Sequence, residues 1–229
     1  MKEIDCEELT VRQINAGIRR LLDDGERDIV VRHPAARHNL AVAVLTAARI
    51  TIDGAVGYYC AGMSDGVHIE ILGSAGWGVA ECLRAGTVIV DGNAGNSAAA
   101  SIRGGVVVIR GDAGARAGVA MKGGLLVIGG GCGIMTGFMM QRGTIIVCGD
   151  ADEAVADSMY EGVVYVGGTI TRAGADTVVS EATPAELSAV STTLTGYDIE
   201  GPASFRKIVS GRRLWNYDRR ERGLWAAAL

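Results

Sequence analysis

The sequence predicts an all-β chain, a parallel β-helix of about seven 19-residue coils with short helices capping both ends. Three observations carry this prediction. Glycine recurs every nineteen residues in three registers; a β-branched tetrapeptide follows one register in each period; and the apolar positions of those tetrapeptides form unbroken columns. A fixed period near twenty residues marks a solenoid, in which each repeat buries its apolar side only against its neighbours.

The chain opens with a helix signal. Thr10 can cap, Gln13 stands at the capping-box position, and Leu9 and Ile14 have hydrophobic-staple spacing. Ile14, Ile18 and Leu21 form one apolar face, and Gly25 ends the helix. Arg27–Arg32 reads as a strand that His33-Pro34 breaks. Residues 1–48 therefore form an N-terminal cap.

The coils occupy residues 49–168. Gly86, Gly105, Gly124, Gly143 and Gly162 form the first ladder. Gly92, Gly111, Gly130, Gly149 and Gly168, preceded by Gly54 and Gly73, form the second. Gly57, Gly76, Gly95, Gly114 and Gly133 form the third. These glycines are expected where the backbone takes positive φ or turns sharply. Between the first two ladders lie the strands 87–90, 106–109, 125–128, 144–147 and 163–166, and 49–52 and 68–71 precede them less regularly. Side chains alternate along a strand, so Ile52, Ile71, Val90, Ile109, Ile128, Val147 and Val166 point inward, as do their partners two residues earlier. Leu83, Ile102, Met121, Met140 and Met159 close the core from another wall, and Ala75, Ala94, Ala113, Cys132 and Ala151 fill a tight corner.

The opposite strand face should be polar if it meets water. It reads Ile89, Val108, Val127, Ile146 and Tyr165, with Val106, Leu125 and Val163 beside them, so it is expected to be covered by terminal segments or by another subunit. A further outward column reads Asp65, Arg84, Arg103, Lys122, Gln141 and Tyr160. It is either a solvated face paired with Glu81, Asp157 and Glu161, or a docking stripe for an acidic surface, with Arg84, Arg103 and Lys122 as its contacts.

Residues 169–229 complete the chain. Thr183-Pro184 with Glu186 repeats the capping box, and Leu187 and Val190 face inward. After Gly201-Pro202 comes a basic, aromatic tail containing Phe205, Arg212, Arg213, Trp215 and Tyr217, residue types that anchor protein interfaces. This tail either packs on its own β-helix or docks a partner.

Composition narrows the function. Among 229 residues, 34 are glycine and 5% aromatic, which suits a thin core of Val, Ile, Leu and Ala. The net charge of −4 gives no reason to expect nucleic acid or an anionic membrane. The start is not a signal peptide, no apolar run spans a membrane, and five dispersed cysteines fit reduced thiols, so a cytoplasmic location is expected. The run Gly129–Gly133 lacks the phosphate-loop pattern, and the period accounts for its glycines except Gly129 and Gly131. His33, His38 and His68 form no evident catalytic pairing; His38, beside Arg37 and Asn39, is the best placed for a specific hydrogen bond. No catalytic, cofactor-binding or metal-binding residue is expected on this chain.

With these residues in hand, the chain resembles the GXGXG-domain proteins: the right-handed β-helix ending the large subunit of glutamate synthase, and the β-helical subunit of formylmethanofuran dehydrogenase. It is most similar to the stand-alone β-helical subunits of N-methylglutamate synthases, methylamine–glutamate N-methyltransferases. Asp5–Ile14, Ala36–Val42 running on to Gly57–Gly62, and Phe205–Glu221 carry that likeness. The resemblance implies a right-handed coil and a non-catalytic scaffold in a three-subunit complex. One partner would be a glutamine-amidotransferase-like subunit. The other would be a glutamate-synthase-like subunit holding FMN and an iron–sulfur cluster, with no cofactor on this chain. The equivalent subunit of a glutamate synthase or a formylmethanofuran dehydrogenase is the alternative. An acyltransferase-type β-helix, with its six-residue period, does not fit a nineteen-residue one.

Overall fold

A computed structural model describes residues 1–213 and Gly223. Its elements in order are β1 (Lys2–Asp5), α1 (Val11–Asp23), β2 (Asp28–Arg32), β3 (Arg49–Asp53), β4 (Asp65–Ile71), β5 (Ala85–Val90), β6 (Val106–Ile109), β7 (Lys122–Ile128) and β8 (Arg142–Val147). Then come β9 (Ala151–Val155), β10 (Val163–Val166), β11 (Ile170–Ala173), β12 (Thr177–Glu181), α2 (Pro184–Thr195) and β13 (Arg206–Ser210). The main sheet has eleven strands, ordered β1 to β8, then β10, β13 and β12.

From β1 to β10 every neighbour in that sheet is parallel and in sequence order, as a solenoid requires. Thr87 pairs with Val106, Val106 with Leu125, Leu125 with Thr144, and Thr144 with Val163, so each strand meets its own position one period later. The seven expected coils are present, and the stack extends further. Asp28 pairs with Arg49, an offset of 21 rather than 19, which makes β2 an additional turn that the fixed period misses. A second wall stacks Val56, Ala75, Ala94, Ala113, Cys132 and Ala151 as single bridges. Both inward strand columns and the Leu83-to-Met159 column are buried in one continuous core.

The three glycine ladders have two different physical causes. The first uses left-handed backbone throughout: Gly105 and Gly124, for example, take φ +73° and +77°, whereas in the second only Gly54, at φ +136°, has a positive φ. The second and third are glycine mainly because adjacent coils leave no room for a Cβ. One built on Gly73 would lie 2.7 Å from Ala55 N, and one on Gly76 2.7 Å from Gly57 C. Positive φ is thus confined mainly to the first ladder; the second stands at bends between strands, and in the second and third close approach of the coils adds a further reason for glycine. Much of the left-handed backbone falls instead on a third wall, in alternate residues such as Ser97, Ala99 and Ser101. Their amides bond to carbonyls of neighbouring coils, so the unusual conformation leaves them paired.

A polar column stitches the coils together. Ser74 Oγ, Asn93 Oδ1, Asp112 Oδ1 and Asp150 Oδ1 each accept from the backbone N–H nineteen residues on, at 3.1, 2.8, 2.7 and 2.6 Å. At the N-terminal end α1 closes the rod. Thr10 and Gln13 form the expected capping box, and Ile14, Ile18 and Leu22 are its buried face, with Leu21 only half-buried. Asn15 stands in for a missing coil: its Oδ1 accepts from Ala41 N–H at 2.9 Å, and its Nδ2 donates to Asn39 O at 2.7 Å.

Candidate interaction surface

The outward strand face is covered by the chain itself. Ile89, Val108, Val127, Ile146 and Tyr165 form a second apolar cluster with Val190, Leu194 and Phe205. Helix α2 starts at the Thr183–Glu186 capping box with Pro184 at its first turn, and it lays Val190 and Leu194 on the stripe. Lys207 of β13 pairs with Glu186, which also accepts from Thr183. These bonds hold the Glu186 carboxyl down at about 2. Desolvation, with Glu186 nearby, raises the Tyr165 phenol.

The tail residues separate accordingly. Phe205 is 3% exposed and packs over its own stripe. Arg212 and Arg213 are exposed where the chain leaves β13, and Arg213 N–H donates to Asp176 Oδ2 at 2.7 Å. Trp215 and Tyr217 lie outside the described residues. Arg84 pairs with Asp65 at 3.6 Å rather than with Glu81, while Arg103 is exposed and Lys122 half-buried at the start of β7. Arg212 borders the same recess as Tyr160, the last member of the cation column, so the tail's exit and that column share one edge of the rod.

On the third wall stands an exposed aromatic step that the sequence motifs do not announce. Tyr58 N–H donates to His38 Nδ1 at 2.9 Å. The His38 and Tyr58 rings stack at 4.4 Å, and those of Tyr58 and Trp77 at 5.3 Å. Tyr59 and Met63 stand exposed nearby in the chain. The offsets of 20 and 19 residues are the one signal of it in the sequence.

Groups able to do chemistry are blunted. Burial pushes the Cys60 thiol up to about 12 and that of Cys148 up to about 11, and raises Cys6 and Cys132, so these thiols are poor nucleophiles. The amides of Gly129, Gly130, Gly131, Cys132 and Gly133 all bond to neighbouring coils, which leaves none to cradle a phosphate. A Cβ at Gly129 would strike Arg110 O; Gly131 occupies the Asn/Asp column, where a Cβ would lie 3.0 Å from Asp150 O. Asp5, Glu7 and His33 bring three ligand atoms together at the exposed N-terminal end. His33 Nδ1 lies 3.0 Å from Asp5 Oδ1, a hydrogen bond that raises the imidazole's pKa. Among the described residues no helix is long and apolar enough to cross a membrane.

No family model matches the chain. Among curated proteins it is similar to Protein GlxC of Rhizobium meliloti (strain 1021), at 37% identity over 91 residues, which is 39% of this chain and 40% of that protein. The match thus spans well under half of either molecule.

Proposed function

We propose that this chain is a non-catalytic β-helical scaffold subunit of a glutamate-synthase-related complex. In particular, it would serve an N-methylglutamate synthase that makes N-methylglutamate from methylamine and glutamate. The parallel β-helix, the glycine ladders of the GXGXG resemblance and the similarity to GlxC support the coarser part of this reading. One observation carries the scaffold role: among the described residues the coil backbone is bonded from coil to coil and four of the five thiols are buried, while an aromatic step and a cation column face outward. In the proposed complex a glutamine-amidotransferase-like subunit and an FMN- and iron–sulfur-containing subunit carry the chemistry. The rod holds their sites in register.

The test is isolation of the native complex through an affinity tag on this chain, with mass identification of what co-purifies. Amidotransferase-like and flavin-containing glutamate-synthase-like partners are expected, with methylamine as the preferred amine. Turnover by the purified chain alone would sink the scaffold reading. Ammonia as the preferred amine, or molybdenum- or tungsten-cofactor proteins as partners, would move the chain to a glutamate synthase or a formylmethanofuran dehydrogenase complex.

A further inference from the structure

Strand β12 is the last strand of the main sheet, and among the described residues it pairs only with β13. In an antiparallel pair, successive residues turn their N–H and C=O groups alternately toward the neighbour and away from it. Two bonds at the ends of this pair fix the phase. Gly211 N–H donates to Asp176 O at 2.7 Å, and Ala182 N–H donates to Phe205 O at 2.9 Å. Both couples continue the register of Thr177 with Ser210 and Glu181 with Arg206. Val178 and Ser180 therefore bond β13, while the N–H and C=O groups of Thr177, Val179 and Glu181 point to the open edge. Among the described residues nothing bonds those six groups.

Other edges of the two sheets are blunted, and this one is not. β1 carries Lys2, Glu3 and Asp5, all exposed. β11 carries Arg172, and its register shifts between Arg172 and Ala173. Charges and irregularities of this kind keep an edge from pairing. β12 has no Lys, Arg or Pro, and its register is unbroken. Val178 and Val179, which alternation puts on opposite faces, are 51% and 42% exposed.

The edge is complementary to itself. A two-fold axis through Val179 sets that residue opposite Val179 of a second copy, and Thr177 opposite Glu181 of the second copy. Each of these pairs joins outward-pointing groups on both sides, so each exchanges two hydrogen bonds. No like charges stand opposite one another. The antiparallel course also brings Glu181 of each copy toward the start of the other copy's β12, where Arg212 and Arg213 are exposed. Asp176, the acid at that corner, is already engaged by the Gly211 and Arg213 amides. Any extended peptide could meet the open amides; a second copy meets them in phase and with the matching charge.

We propose that β12 pairs antiparallel with β12 of a second copy of this chain, about a two-fold axis at Val179, and joins the two main sheets edge to edge. The inference does not rest on the complex proposed above. Within such a complex it would double the scaffold.

Five residues a side make a small interface, so the dimer should dissociate in the micromolar range. Sedimentation equilibrium of the full chain should show the mass rise from one chain to two with concentration. Residue-resolved hydrogen exchange should find the Val178 and Ser180 amides protected at every concentration, and those of Thr177, Val179 and Glu181 protected only in the dimer. Val179→Pro removes the central outward N–H at an edge position that tolerates proline. Val179→Lys sets two cations face to face. Each should weaken association by about tenfold or more, with the circular dichroism spectrum unchanged. Mixing the Val179→Lys and Val179→Glu proteins should restore it, because the axis puts these positions opposite each other. A chain that stays monomeric through the micromolar range overturns the proposal. So does a dimer that neither Val179→Pro nor Val179→Lys weakens, or a Val179→Lys and Val179→Glu mixture that does not associate. Protection of Thr177, Val179 and Glu181 in the dilute monomer overturns it as well, since the chain would then cover its own edge.

Discussion

Replacing Gly149 by alanine tests whether the second ladder exists for close approach. Gly149 has no left-handed backbone, so alanine meets no conformational penalty there. The new Cβ would stand 2.7 Å from Gly130 C and 2.8 Å from both Gly130 O and Gly131 N. Carbon atoms rest at about 3.5–4.0 Å, so the two coils must part by close to an ångström. That stretches the bond from Gly149 N–H to Gly130 O, 2.8 Å, which joins these two coils. Overpacking of this kind costs about 1–3 kcal/mol, the weakened bond adds up to about 1 kcal/mol, and the stiffer unfolded chain returns about 0.4–1 kcal/mol. The expected net loss is ~2 kcal/mol, or roughly 4–8 °C in Tm for a chain of this size. Gly196→Ala is the control: its φ is −64° and the nearest atom to a Cβ lies at 3.4 Å, so it should be neutral or slightly stabilising. Thermal unfolding measures both, and hydrogen exchange should show the Gly149 amide opening while β3 and β4 stay protected. A Gly149→Ala protein as stable as the Gly196→Ala one would refute the close-approach account.

Three further outcomes are expected. Asn15→Ala leaves the fully buried Ala41 without its side-chain acceptor and should lose about 1–3 kcal/mol; urea unfolding reads the loss, and an unchanged midpoint would contradict the capping role. Glu186 has a folded pKa of about 2, below its unfolded value of 4.5, so its contribution is complete above pH 4.5 and fades as pH falls toward 2. Dye binding to the uncovered stripe should therefore rise across that acid window in the native protein and start at higher pH in Lys207→Met. Of the five thiols, the half-buried Cys82 should react with a thiol reagent first at pH 8, with Cys60 and Cys148 inert until unfolding; several fast thiols would contradict the burial.

What was legible in the sequence depended on local spacing. The strand columns, the two capping boxes and the apolar outward stripe are written at fixed intervals, and each stands where its interval places it. The 21-residue step from β2 to β3 hid one turn, because a strict period rejects it. Ser74, Asn93, Asp112 and Asp150 share the period but not a residue type, so their column surfaced only as hydrogen bonds. Strands β12 and β13 pair antiparallel outside the repeat, and no periodicity announces them. The tail's Phe205 could be read as partner-facing or self-facing; only the packing of α2 decides that it turns inward.

In-register pairing makes the rod a ruler with fixed graduations. Because Leu125 must meet Thr144 and Asn93 must meet Asp112, length changes in steps of nineteen residues, each worth about 4.8 Å. A deletion of nine or ten residues would turn the core columns outward, whereas removal of Gly105–Gly123 would rejoin matching positions and shorten the rod by one mark. Bodies gripping its two ends can therefore be set closer or farther only by whole marks, with their mutual rotation stepping along by one coil's twist each time.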